Sequence, residues 1–141
     1  MRQKGFATLE VILMVMVIGS LASIAVPRFT SVTTAANTAK IQADLTTIDT
    51  AIAVYIMENG DSSVPSSPSG LDDYLQDADN LKPPTGQTAY LSDGTTHTVT
   101  ATDYAIQNTG TDDAKNYRAT LDDKTAGEFQ KPKSSSSGGG N

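Results

Sequence analysis

Apolar residues fall along this chain in two patterns, and the change between them lies near Pro27. From Phe6 to Val26 they run almost without a break, and the only charge in that stretch is Glu10. Further on they become periodic. Ile41, Leu45, Ile48, Ile52, Tyr55 and Ile56 recur at steps of three and four, with Ala35, Ala36 and Ala39 before them. Gln42, Asp44, Thr46, Thr47 and Asp49 take the other faces. The first pattern predicts a helix that is apolar all round and roughly 30 Å long, enough to cross the hydrocarbon of a bilayer. The second predicts an amphipathic helix whose stripe clamps onto a sheet. Asn59-Gly60 suits a left-handed helix cap. A helix from Phe6 to about Met57 is therefore expected, interrupted near Pro27, which lacks a backbone donor and kinks or loosens a helix.

Beyond the helix the pattern is broken by turn residues. Val64-Pro-Ser-Ser-Pro-Ser-Gly70 reads as a loop, Leu71 to Leu75 as a short helix, and Lys82-Pro-Pro-Thr-Gly86 as a second breaker. Strands are expected at Thr88–Leu91, Thr96–Ala101, Asp103–Gln107 and Asn116–Leu121, separated by Ser92-Asp93-Gly94 and Asn108-Thr-Gly110. Short strands joined by such turns predict an antiparallel meander packed on the helix, an α+β fold. Residues 59–130 would hold the loop and small sheet, and 131–141, rich in Ser and Gly, a flexible tail.

Composition narrows the chemistry. There is no cysteine, which excludes disulfides, thiolate metal sites and thiol nucleophiles. His97 is the single histidine and is expected at the surface; no phosphate loop or zinc spacing accompanies it, so no enzymatic activity is expected. Net charge is −6, with no basic cluster, which argues against direct nucleic-acid binding. Tyr90, Tyr104 and Tyr117 are accordingly expected as core or half-buried strand residues rather than as a stacking surface. Two acidic pairs in predicted turns, Asp112-Asp113 and Asp122-Asp123, are candidate calcium ligands, although adjacent Asp side chains diverge in extended chain and solvated carboxylates are the plainer reading. Glu10 stands apart. A carboxylate inside an apolar helix costs about 2–3 kcal/mol or more when unpaired, and so requires a partner.

The arrangement Gly5-Phe6-Ala-Thr-Leu-Glu10, opening an apolar helix after a short basic leader, resembles the signal of type IV pilins and type II secretion pseudopilins. The resemblance implies that prepilin peptidase removes residues 1–5 by cutting after Gly5 and N-methylates Phe6. It implies that residues 6–27 form a transmembrane helix that later becomes filament core, and that 28–58 continue as the amphipathic half beyond Pro27. It further implies that Glu10 pairs with the terminal amine of a neighbouring subunit. The implied partners are further copies of the chain, prepilin peptidase, an inner-membrane assembly platform with its ATPase, minor pilins, and lipid before assembly. Tyr55-Ile-Met-Glu-Asn-Gly60, followed by the Pro-containing loop, resembles major pseudopilins and competence pilins, and the former hold calcium in a C-terminal loop. Loss of Arg2 and Lys4 with the leader leaves eight basic and sixteen acidic residues, a net of −8. Those two positive charges place the leader in the cytoplasm and the domain outside. The competing reading is an ordinary signal peptide cut after Ser23-Ile24-Ala25, or a simple anchor, on a secreted or membrane-anchored binding domain that does not polymerise. A glutamate inside the apolar region weighs against it.

Overall fold

The computed structural model describes residues 3–133; the side chains of 3 and 25–27, and residues 1, 2 and 134–141 of the expected leader and tail, lie outside the described residues. The chain divides into two units, Met1–Thr33 and Thr34–Asn141. One helix, α1 (Gln3–Asn59), belongs to both. Its backbone stays helical through Pro27, so the expected interruption does not end it. A single proline removes one helical hydrogen bond, a cost of about 3 kcal/mol that the flanking turns can carry. The helix ends as expected: Gly60 sits at φ 79° and donates its N–H to the Ile56 carbonyl at 2.8 Å.

In the second unit the stripe forms the core. Ile41, Leu45, Ile48 and Ile52 are buried, and Tyr55 and Ile56 pack partly buried against them. The stripe begins with Thr34 and Thr38 rather than with the alanines; Ala36 and Ala39 are exposed. The period explains this, because 34, 38, 41, 45, 48 and 52 continue one face by steps of four and three. The Thr38 hydroxyl donates to the Thr34 carbonyl at 2.7 Å, which makes its burial tolerable.

The fold is α+β and pilin-like: a long N-terminal helix with small antiparallel sheets. Strands β1 (Thr88–Tyr90), β2 (Thr96–Thr98), β3 (Ala105–Asn108) and β4 (Tyr117–Thr120) lie at the expected places. They make two separate hairpins, β1–β2 and β3–β4, instead of one meander. After β2 the N–H groups of Thr100 and Ala101 donate to the Asp122 carboxylate at 2.8 and 2.9 Å, and the ladder does not continue. The expected helix at Leu71 to Leu75 is also shorter: a 3₁₀ turn at Pro68–Leu71, then turns, with Leu71 and Leu75 buried as their spacing suggests.

Asp44 and Asp49, expected on the outer faces of the helix, instead tie it to the strands. Asp44 accepts from the Tyr104 hydroxyl at 2.7 Å and from Lys40 at 2.5 Å. Asp49 accepts from the Ala119 N–H at 2.7 Å with one oxygen and from Arg118 Nε and Nη2 at 3.0 and 2.8 Å with the other. Burial, with the Asp44 carboxylate beside it, holds the Tyr104 phenol well above its usual range. Asp49→Ala strips two donors of their acceptor and is expected to lower unfolding free energy by about 1–3 kcal/mol. Exposed Asp72→Ala is expected to stay within about 0.5 kcal/mol. Urea titration of the full chain in mild detergent separates the two, and equal effects would contradict the anchoring role.

Candidate assembly segment and acidic turns

The first unit has nothing of its own to pack against. Twelve large apolar side chains from Phe6 to Ile24 are each more than half exposed, Phe6 at 78%. At about 1.5–3 kcal/mol for each such side chain, leaving them in water forfeits on the order of 20 kcal/mol, more than a small domain's net stability. Among the described residues this is one helix long and apolar enough to cross a membrane. Two of its hydroxyls bond back to the helix: Thr8 donates to the Lys4 carbonyl at 2.9 Å and Ser23 to the Ser20 carbonyl at 2.7 Å. The surface of this segment is thus suited to lipid or to other helices.

Glu10 is the exception. It is exposed, it has no hydrogen bond or ion pair among the described residues, and Leu13, Met14, Val17 and Ile18 surround it on the helix surface. A hydroxyl can bond back to its own helix, but an ionised carboxylate accepts only, and every nearby N–H is already used by the helix. Phe6 stands four residues before Glu10 on the same helix, with its nitrogen held in the peptide bond from Gly5. Gly5 itself is not required by the fold, since a Cβ there would meet nothing within 4 Å. Glycine inside a helix costs roughly 0.5–1 kcal/mol relative to alanine, so the fold gives no reason for a glycine there.

The two acidic pairs behave differently from one another. Asp112 and Asp113 are exposed and, among the described residues, have no side-chain hydrogen bond or ion pair. Asp122 and Asp123 form the middle of a tight turn between Leu121 and Lys124, with φ of 48° and 61°. Asp tolerates this left-handed region better than most residues, and a two-residue hairpin turn requires it. Asp123 accepts from the Gln107 amide at 2.8 Å. Asp122 accepts the hydroxyl of Thr100 and the N–H of Ala101 with Oδ1, and the N–H of Thr100 and Nε2 of His97 with Oδ2. Four donors leave that carboxylate no lone pair for a cation. Among the described residues no three His, Asp or Glu side chains gather closely enough to hold a metal. The Asp122 carboxylate is thus taken up by the domain itself and acts as a clasp.

His97, expected at the surface, is half-buried, faces Asp122 at 2.8 Å and meets the Phe129 ring edge-on at 6.4 Å between centroids. A Thr-His-Thr strand gives no sequence signal for a partner twenty-five residues away, and the turn residues Asp122 and Asp123 looked solvated. Tyr104 is buried, and Tyr90 and Tyr117 are half-buried, as expected of strand tyrosines.

Comparison with known proteins gives one relative. Over 58 residues, 41% of this chain, it is 41% identical to the type IV narrow pilus major component PilA5 of Thermus thermophilus. The chain spans about half the length of that curated relative, 50% of which is covered. No family model and no solved structure matches. The likeness supports the type IV pilin family without fixing a subtype.

Burial opposes the charge on Asp122, but the hydrogen bonds from Thr100, His97 and Ala101 outweigh it and hold the carboxyl down to about 2, from 3.8. A depressed folded value adds stability that is complete above 3.8 and is lost as pH falls towards 2. Thermal melts from pH 6 to pH 2 are expected to show stability falling through that window. Asp122→Asn, which keeps shape but not charge, is expected to be less stable at pH 6 and to show a flatter profile.

Proposed function

We propose that this chain is the structural subunit of a type IV pilus-like filament, a major pilin or pseudopilin. The carrying observation is Glu10, a carboxylate without a partner among the described residues, in a helix whose surface is otherwise suited to lipid or other helices. Among the described residues of the uncleaved chain no cation pairs with it. Once Gly5 is cut from Phe6 by prepilin peptidase, Phe6 bears a free amine on an apolar helix, and that amine is a charge of opposite sign with the same difficulty. Pairing the two between neighbouring subunits removes both costs, and the contact repeats without end.

The steps follow. The leader holds residues 1–5 in the cytoplasm and the segment from Phe6 sits in the cytoplasmic membrane, with the domain outside. After cleavage and methylation of Phe6, an assembly platform and its ATPase move subunits out of lipid, and apolar contacts to lipid are replaced by contacts between helices. Minor pilins would start or end the polymer. The relative's role as a pilus major component supports a filament built mainly of this chain. Protein secretion, DNA uptake and surface attachment are the services such a filament performs; with a net charge of −8 after cleavage, direct binding of nucleic acid by this subunit is disfavoured.

Glu10→Ala and Glu10→Gln are expected to leave the chain in the membrane fraction at wild-type level while reducing filaments at least tenfold. Filament counts by electron microscopy beside membrane fractionation check this. Normal filaments from both variants would overturn the reading.

A further inference from the structure

Each hairpin has two outer edges, and on three of the four a group from elsewhere in the domain bonds at least one outward backbone group. On β1, the Tyr90 N–H donates to the Thr38 hydroxyl oxygen at 2.8 Å, and the Thr88 carbonyl accepts from the Asn37 amide at 3.1 Å. On β3, the Ile106 N–H donates to the Ser66 carbonyl at 2.9 Å. On β4, the Ala119 N–H donates to Asp49 at 2.7 Å. The fourth edge belongs to β2. Val99 N–H bonds the Gln87 carbonyl and Leu91 N–H bonds the Thr95 carbonyl, each at 2.9 Å, with Ala89 opposite His97. Residues 95, 97 and 99 thus form the rungs to β1, and the N–H and C=O of Thr96 and Thr98 point the other way. Both residues are exposed, and among the described residues neither has a partner on that side. The next outward group, the Thr100 N–H, is closed by Asp122. Thr95 to Thr100 carry no lysine, proline or acidic residue to guard the edge, whose one usual protection is that the strand is short.

We propose that β2 of one copy pairs antiparallel with β2 of a second copy about a two-fold axis, making one four-stranded sheet from two β1–β2 hairpins. The occupant follows from the domain itself. Its other described edges each meet α1 or the loop before β3, whereas β2 meets neither, so the matching edge that a second copy offers is its own β2. The donors and acceptors of that edge are self-complementary. The register follows as well. With Thr100 blocked, both open residues are used when Thr96 of one copy faces Thr98 of the other, and His97 faces its counterpart. Facing threonines on antiparallel strands are a favourable pair, and the contact brings no carboxylate or ammonium of one β2 against another. The two histidines point to the inner face, each held by its own Asp122.

A two-fold contact cannot join neighbours in a polar filament, whose subunits are related head to tail; it joins two filaments side by side. This last step rests on the proposed function, whereas the pairing itself does not. One contact has four backbone hydrogen bonds and is weak, but repeated along two fibres it becomes strong by multivalency. The subunit would then carry its own means of bundling.

The natural absence of cysteine allows a register-specific test. Full-length Thr96→Cys and Thr98→Cys chains are prepared separately in detergent micelles and oxidised mildly, alone and mixed. Facing residues in a hydrogen-bonded pair lie about 5.5 Å apart at Cα, within disulfide range. The mixture is expected to yield at least fivefold more cross-linked dimer than either chain alone, or than an exposed-loop Thr111→Cys control. Equal yields would overturn the proposal. In cells, Thr96→Lys with Thr98→Lys is expected to leave filament number unchanged and to convert bundles into single fibres; unchanged bundles would also overturn it. Register-specific dimers from a chain that makes no filaments would sink the filament reading and leave the β2 pairing standing.

Discussion

Two-stranded hairpins are marginal by themselves in water, and this domain contains two of them with no sheet to join them. Everything in the second unit therefore depends on one face of α1. Ile41, Leu45, Ile48 and Ile52 supply the apolar wall against which Ala89 and Val99 of one hairpin and Ile106 and Ala119 of the other are buried. The same helix then closes polar groups at the strand edges, Thr38 for Tyr90 and Asp49 for Ala119. Removing that helix face would leave two loose ribbons.

Without a disulfide, the C-terminal part of the domain is held by other means. Asp122 gathers four donors from the end of β2, Phe129 is fully buried, and Thr125 and Glu128 cap each other across a single turn. The strained φ values at Asp122 and Asp123 are offset by these bonds. A charged clasp of this kind ties stability to acidity in a way that a disulfide would not.

The helix, its stripe, its Gly60 cap and the four strand positions were legible in the sequence because each rests on a local period or turn residue. What escaped the sequence was long-range and polar. Asp44 and Asp49 follow helical polarity correctly yet face strands sixty or more residues away, and one helix turn cannot announce such a partner. The chain after β2 is held by one carboxylate, Asp122, reaching back to Thr100. The helix continued past Pro27 because a missing donor weakens a long helix without dictating its end. The assembly segment was the reverse case. Glu10 was read from the pattern alone, and the structure adds that neither it nor the apolar surface around it finds cover among the described residues.

That unmet demand joins fold to function: an unpaired acid on an apolar helix waits for a charge of opposite sign, and cleavage after Gly5 would create one. The most direct measurement is the intact mass and N-terminal sequence of the chain isolated from its native cell. The account predicts a chain that begins at N-methylated Phe6. A chain beginning at Val26, or retaining Met1, would contradict it.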